Sequence, residues 1–327
     1  MNRKLTKMNR QWMIAICVMT LCLGNLAAGV ATRAQEEETL RKLWDDGFLK
    51  KRPSKTSRPA RPQKPSSGPA TSTQAPDVNS GSGPLDQATY QRITPALTDA
   101  SGEALVGITI WRLRASQTTD DQERILVHKA KKANWIPERI HADTPLAEGQ
   151  RVRLSIEAPR TGFLYVIDRE RYKDGTLGEP YLIFPTLHIR RGDHALTAGR
   201  VIEIPAQDDD PPYFRLEVDP PNPKYAGEVL TVLVTPEPLP GLKIGKEMLK
   251  LSREQVSAWE KKWSAPWERF ELKGGAGKSY TAAEKAAGAK PAQQLLAQDE
   301  APPQTIYRVA AKPGAPLLIE VPLQIGK

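Results

Sequence analysis

The chain has 327 residues, 47 lysines and arginines against 38 acids, a formal net charge of +9 and only two cysteines. Length alone allows two average domains, but composition is so uneven that the folded part is shorter. The positive charge is concentrated in the N-terminal quarter, in Arg3, Lys4, Lys7, Arg10 and Arg33 and then in Lys50, Lys51, Arg52, Lys55, Arg58, Arg61 and Lys64; the remainder is near neutral and lacks the basic footprint of a nucleic-acid binder.

Residues 1–34 have the order of a secretory signal. A basic start is followed by an uncharged, largely apolar run from Trp12 to Ala31, and small residues precede an acidic turn at Gln35-Glu36-Glu37-Glu38. Cleavage after Ala34 is expected; an uncleaved anchor is the alternative, because the run matches the roughly 20 residues that span a bilayer. Either way the positive flank stays in the cytoplasm and the rest is exported, to the periplasm or beyond, or held facing the periplasm on the inner membrane. Cys17 and Cys22 both lie in this run, so the exported part has no disulfide or thiolate metal site.

Residues 35–49 form a short amphipathic segment in which Leu40, Leu43 and Trp44 share a helical face, with Phe48 following. A helix this short is marginal in water, so these residues are candidates either for folding back on their own domain or for docking into a partner. Residues 50–87 are Pro, Ser, Thr, Gly and Lys/Arg with scarcely an apolar side chain, the composition of a disordered linker. It serves as a spacer, or its charge contacts anionic envelope polymers.

From residue 88 to the end, strand patterns recur between turn residues, which predicts a mainly β domain, an Ig-like antiparallel sandwich. Val152, Leu154, Ile156 and Ala158 alternate with Arg151, Arg153, Ser155 and Glu157, the pattern of a strand with one wet face. Phe214, Leu216 and Val218 alternate likewise. The runs Val106 to Leu113, Phe163 to Ile167, Tyr181 to Phe184 and Val229 to Val234 are apolar on both faces, as central strands are. Asp174-Gly175 marks a turn pairing the second and third of these runs, and Pro313-Gly314 marks a C-terminal hairpin between Thr305 to Ala310 and Leu317 to Leu323, with Pro322 on an edge. Ser252-Arg-Glu-Gln255 and Thr281-Ala-Ala-Glu284 are capping boxes that start two short peripheral helices.

The stretch from Gly149 to Thr235, extended to 149–238 as a domain core, resembles the bacterial family named domain of unknown function 4384. The residues that carry this are Gly149-Gln-Arg-Val-Arg-Leu-Ser-Ile156, Gly162-Phe-Leu-Tyr-Val-Ile-Asp168, Asp174-Gly175, Tyr181-Leu-Ile-Phe-Pro185, Ala198-Gly199, Ile204-Pro205 and the strand Glu228 to Thr235. The resemblance implies an accessory β module and transfers no active-site residue.

Chemical motifs are sparse. Lys273-Gly-Gly-Ala-Gly-Lys-Ser279 ends like a phosphate-binding loop, but Leu272 stands where its first glycine belongs. His188, Asp193 and His194 lack paired metal-ligand spacing, and Asp168, Glu170, Asp174 and Asp208 to Asp210 fit no calcium loop. No Gly-x-Ser-x-Gly elbow occurs. Neither a catalytic residue nor a cofactor is therefore expected. Trp259, Trp263 and Trp267 pack on the domain as core or, if exposed together, form a platform for stacking sugar rings of an envelope glycan. The expectation is a non-enzymatic module whose partner is another envelope protein, met through sheet edges or loops, with the glycan reader as the alternative.

Overall fold

The computed structural model describes residues 42, 47–53, 102–128, 133–158, 160–217, 222–289 and 295–326. The expected signal, the residues Leu40, Leu43 and Trp44 and most of the linker lie outside these. The described chain is mainly β, built as two antiparallel sheets with two helices.

The strands are β1 (Ala104–Ala115), β2 (Leu126–His128), β3 (Ala133–Ile140), β4 (Arg151–Glu157), β5 (Gly162–Tyr172), β6 (Tyr181–Phe184), β7 (Ala195–Leu196), β8 (Val201–Ile204), β9 (Phe214–Arg215), β10 (Tyr225–Thr235), β11 (Leu249–Lys250), β12 (Trp267–Glu271), β13 (Thr305–Val309) and β14 (Leu317–Gln324). In the first sheet β4 runs along one edge of β1, while β13 and β3 share the other, β13 beside its first half and β3 beside its second. Outside them lie β12 on β13, β2 on β3, and β8 and β9 on β4. The second sheet has the order β11-β6-β5-β10-β14, with β7 on the start of β5.

Period-two patterning explains why these segments are strands and which way they face. Val106, Ile108 and Ile110 of β1, Val152, Leu154 and Ile156 of β4, Leu164 and Val166 of β5, Leu230, Val232 and Val234 of β10 and Ile319 and Val321 of β14 all join one core cluster between the sheets. The expected pairing of β5 with β6 is present, and the Asp174-Gly175 turn closes it: Gly175 has φ +82°, and the Asp174 carboxylate accepts from the Thr176 backbone at 3.0 Å. Such a left-handed position favours glycine because it has no Cβ to clash.

Two expectations about strands are corrected. Thr305–Val309 and Leu317–Gln324 do not form a C-terminal hairpin: β13 inserts between β1 and β12 in the first sheet, and β14 pairs with β10 in the second. The Pro313-Gly314 turn carries the chain from one sheet to the other, and Pro322 does sit on an edge strand. The Phe214 alternation makes only a two-residue strand, because Leu216 already exchanges backbone bonds with Gly149 and Gln150 in the loop before β4.

Both helices begin where their caps predict. Ser252 Oγ accepts from the Gln255 N–H ahead of α1 (Arg253–Trp263), and Thr281 with Glu284 closes a reciprocal capping box on α2 (Ala282–Gly288). Helix α1 lies on the outer face of the second sheet, where Val256, Trp259 and Trp263 pack with Tyr165, Ile167, Leu233 and Leu318. Arg169 pins it there through Glu260 at 2.6 Å.

Candidate functional site

The polar face of β4 is not wet, which corrects the sequence reading. Arg153 is 1% exposed and Glu157 is buried, because α2, the segment at 295–304 and residues 47–53 cover that side of the first sheet. The charges survive burial because each finds a counter-charge. Arg153 bonds Glu203 at 2.8 Å, Arg139 pairs with Glu284, and Arg52 forms a two-pronged pair with Glu157 at 3.0 and 2.7 Å. Trp111 donates to Ser155 at 2.7 Å, meets Tyr280 edge-on at 4.9 Å and lies beneath the Arg139 guanidinium at 5.2 Å. Burial, and then the negative Glu203 to which it is bonded, push the Tyr280 hydroxyl well above the usual tyrosine range, so it stays protonated. The space left among Arg52, Trp111, Arg139, Ser155 and Glu284 is about 20 Å³, room for one water. These groups answer one another.

At residues 47–53 the chain folds back on its own domain. Phe48, a candidate docking residue, is 1% exposed and packs with Leu105 and Ile306, over a Gly107 whose added Cβ would stand 3.2 Å from the Phe48 ring. Arg52 is 2% exposed and also donates to the carbonyls of Ala297, Glu300 and Ala301. Residues 50–53, expected in the linker, therefore belong to the folded body, held by an ion pair no local pattern announces. Phe48 is unavailable to a partner while it sits there.

A second polar group lies at one end of the second sheet. Asp168 and Glu170 on β5 stand beside Glu228 on β10, with Tyr225 donating to Glu228 and Tyr172 to Glu170. Burial raises the pKa of Asp168, and burial followed by the Asp168 charge raises that of Glu228. Two buried carboxyls side by side hold a proton at pH values where exposed carboxylates have lost theirs.

A hollow of about 500 Å³ is lined by Leu187, His188, Arg190, Arg191 and Asp208 to Asp210. Arg190 and Arg191 hold left-handed backbone at φ +52° and +54°, an unfavourable state for side-chain-bearing residues, kept by the Asp209 carboxylate, which accepts from the backbone of Arg190 and Ala206. The histidines do not converge: His188 turns to Glu247 at 3.2 Å and His194 to the Gly192 carbonyl at 2.9 Å. Among the described residues no group of three or more His, Cys, Asp or Glu is arranged to hold a metal. In Lys273 to Ser279 the N–H of Gly275 is taken by the Leu272 carbonyl and that of Gly277 by the Arg139 carbonyl, while the Lys278 carbonyl accepts from Arg139, so the loop lies alongside β3.

The tryptophans divide. Trp259 and Trp263 stack nearly parallel at 5.9 Å and lie half-buried on the aliphatic outer face of the second sheet. Trp267 instead meets Tyr307 of the first sheet edge-on at 5.5 Å and stays 40% exposed. Their ring contacts do not build one three-membered platform.

What the fold leaves open is an edge. Pro266 accepts from Ala310 and Leu272 donates to Gln304 across β12 and β13, so alternation directs the backbone groups of Glu268 and Phe270 inward and those of Trp267, Arg269 and Glu271 outward. Among the described residues nothing pairs with that outer side. The other long edge, β14, is blunted. Its outward groups fall on Leu318, Glu320, Pro322 and Gln324; Pro322 has no N–H, and Leu146 takes the Gln324 carbonyl at 2.8 Å. The charged run Trp267 to Leu272 reads as a strand in the sequence, but nothing in it marks β12 as the open edge, because an edge is defined by what does not lie beside it.

No family model matches the chain, and neither the curated proteins nor the solved structures hold a match.

Proposed function

We propose that this chain is an exported, non-enzymatic interaction module of the bacterial envelope, an Ig-like sandwich that binds another protein through a sheet edge. The open outer side of β12 carries this reading: five residues without proline, three outward-facing backbone positions and a half-exposed tryptophan at the start. An extended segment added there gains main-chain hydrogen bonds for affinity and side-chain contacts at alternate positions for specificity. The mutual pairing of the charged groups over the first sheet favours a structural role for them. Export rests on the basic start and apolar run of residues 1–34, and the resemblance of Gly149 to Thr235 to the domain of unknown function 4384 family suits an accessory module.

Arg269→Pro tests the reading. Its N–H faces outward, so proline removes a donor offered to a partner and none used inside the sheet. A photo-crosslinking residue at Trp267 in growing cells should capture a discrete protein in the envelope fraction, and Arg269→Pro should abolish capture without changing the circular dichroism spectrum. Capture that ignores the proline, or a chain that stays in the cytoplasm, would refute the reading.

A further inference from the structure

The identity of the strand that would meet β12 follows from its side chains, given the edge-binding reading above. We propose that the occupant is β12 of a second copy of this chain, paired antiparallel about a two-fold axis at Phe270.

The backbone restricts the choices. Hydrogen-bonded pairs must join Trp267, Arg269 and Glu271 to the same set in the other copy, since only these present outward groups. Three two-fold registers then align three or more residue pairs, centred on Glu268, on Arg269 or on Phe270. The first sets Glu268 against Glu268, and the second sets Arg269 against Arg269. Like charges directly opposite are destabilising.

The third register sets Arg269 against Glu271 of the other copy on both sides of the axis, with the two Phe270 rings meeting between them. Phe270 then occupies a non-hydrogen-bonded pair, where opposing side chains stand closest. It already packs beside Phe48, Leu105 and Ile306, so joining two such clusters continues an apolar patch across the axis. Glu271 is held ready, its carboxylate accepting from Thr305 Oγ1 at 3.2 Å, and Arg269 lies 3.8 Å from it in the same chain. An isologous contact of this kind closes on itself and leaves no further edge to propagate. The other edges among the described residues are poorer: β2, β7, β8, β9 and β11 have four residues or fewer, and β14 is blunted by Pro322.

Cysteine crosslinking tests both the partner and the register, in the full chain with Cys17 and Cys22 replaced by alanine. Phe270→Cys places two thiols at the axis, within the Cα separation a disulfide requires. Oxidation should give a dimer of twice the chain mass, and adding Arg269→Glu should lower its yield about tenfold. Glu268→Cys, whose copies lie far apart in this register, should not crosslink. Should the Phe270→Cys chain misfold, sedimentation velocity of the otherwise unaltered chain gives the answer, as a dimer that Arg269→Pro converts to monomer. A crosslink at Glu268 rather than Phe270, or a monomer at tens of micromolar, would overturn the proposal. If the chain is a monomer and the Trp267 probe still captures a different protein, edge binding stands and self-pairing fails; with no capture either, both fail.

Discussion

Asp168 and Glu228 show how a strand pairing turns two ordinary carboxylates into a pH-dependent feature. Their folded pKa values lie above the unfolded ones because burial disfavours both charges; the Asp168 charge then raises Glu228 further, while at Asp168 the hydrogen bond from Glu228 offsets part of the rise and the Glu170 charge adds to it. The folded state therefore binds more protons than the unfolded chain, and this contribution to stability is complete below about pH 4 and lost as pH rises through the raised values. Thermal denaturation across pH 4 to 9 should show stability falling over that window. Glu228→Gln replaces the shared proton with an amide donor, so it should flatten the profile and raise stability at pH 8 by about 1–3 kcal/mol, with little effect at pH 5. Arg52 makes the opposite case. Arg52→Ala leaves Glu157 buried without its guanidinium and should cost about 3–5 kcal/mol in urea unfolding, while replacing both residues by apolar ones of similar volume should cost much less.

Among the elements, helix α2 shows local and tertiary signals sharing one residue. Glu284 closes the capping box with Thr281 and also pairs with Arg139 beneath the helix. Thr281→Ala removes only a cap and should cost about 1 kcal/mol. Glu284→Ala also strands the buried Arg139 and should cost several times more; chemical denaturation of the two variants compares them directly. The β14 edge carries a different prediction. Pro322→Val restores an outward N–H beside exposed Glu320 and turns a blunted edge into one that can pair, so light scattering should show concentration-dependent association beyond that of the parent chain. The N-caps at Ser252 and Thr281, the full capping box at Thr281 with Glu284 and the Asp174-Gly175 turn were legible because each depends on residues near one another in sequence, whereas Ser252 caps its helix without the reciprocal bond expected from Gln255. The hairpin of β13 with β14 was misread because a turn signal states that the chain reverses, not which sheet receives the next strand.

On the scale of the whole molecule, the return of residues 47–53 changes what the N-terminal region does. Because Phe48 and Arg52 are seated on the first sheet, anything before Gly47 leaves from the surface of the domain rather than from the far end of a linker. A specific protease site introduced within residues 54–101 should therefore leave the N-terminal piece associated after cutting. Co-elution on size exclusion, lost in the Phe48→Ala and Arg52→Ala double variant, would establish this, and separation of the parent pieces on cutting would refute it.

Alternating polarity from residue 88 onward pointed by itself to a mainly β chain of antiparallel strands, since a period of two assigns side chains to the two faces of an extended strand whatever packs against them. It could not tell a wet polar face from a buried one: Arg151, Arg153, Ser155 and Glu157 read the same whether water or counter-charges surround them. Only the tertiary structure brought Arg52, Glu203 and α2 onto that face and left β12 open. Both outcomes depend on segments distant in sequence, and whether a charge or an edge is satisfied is a property of what packs against it.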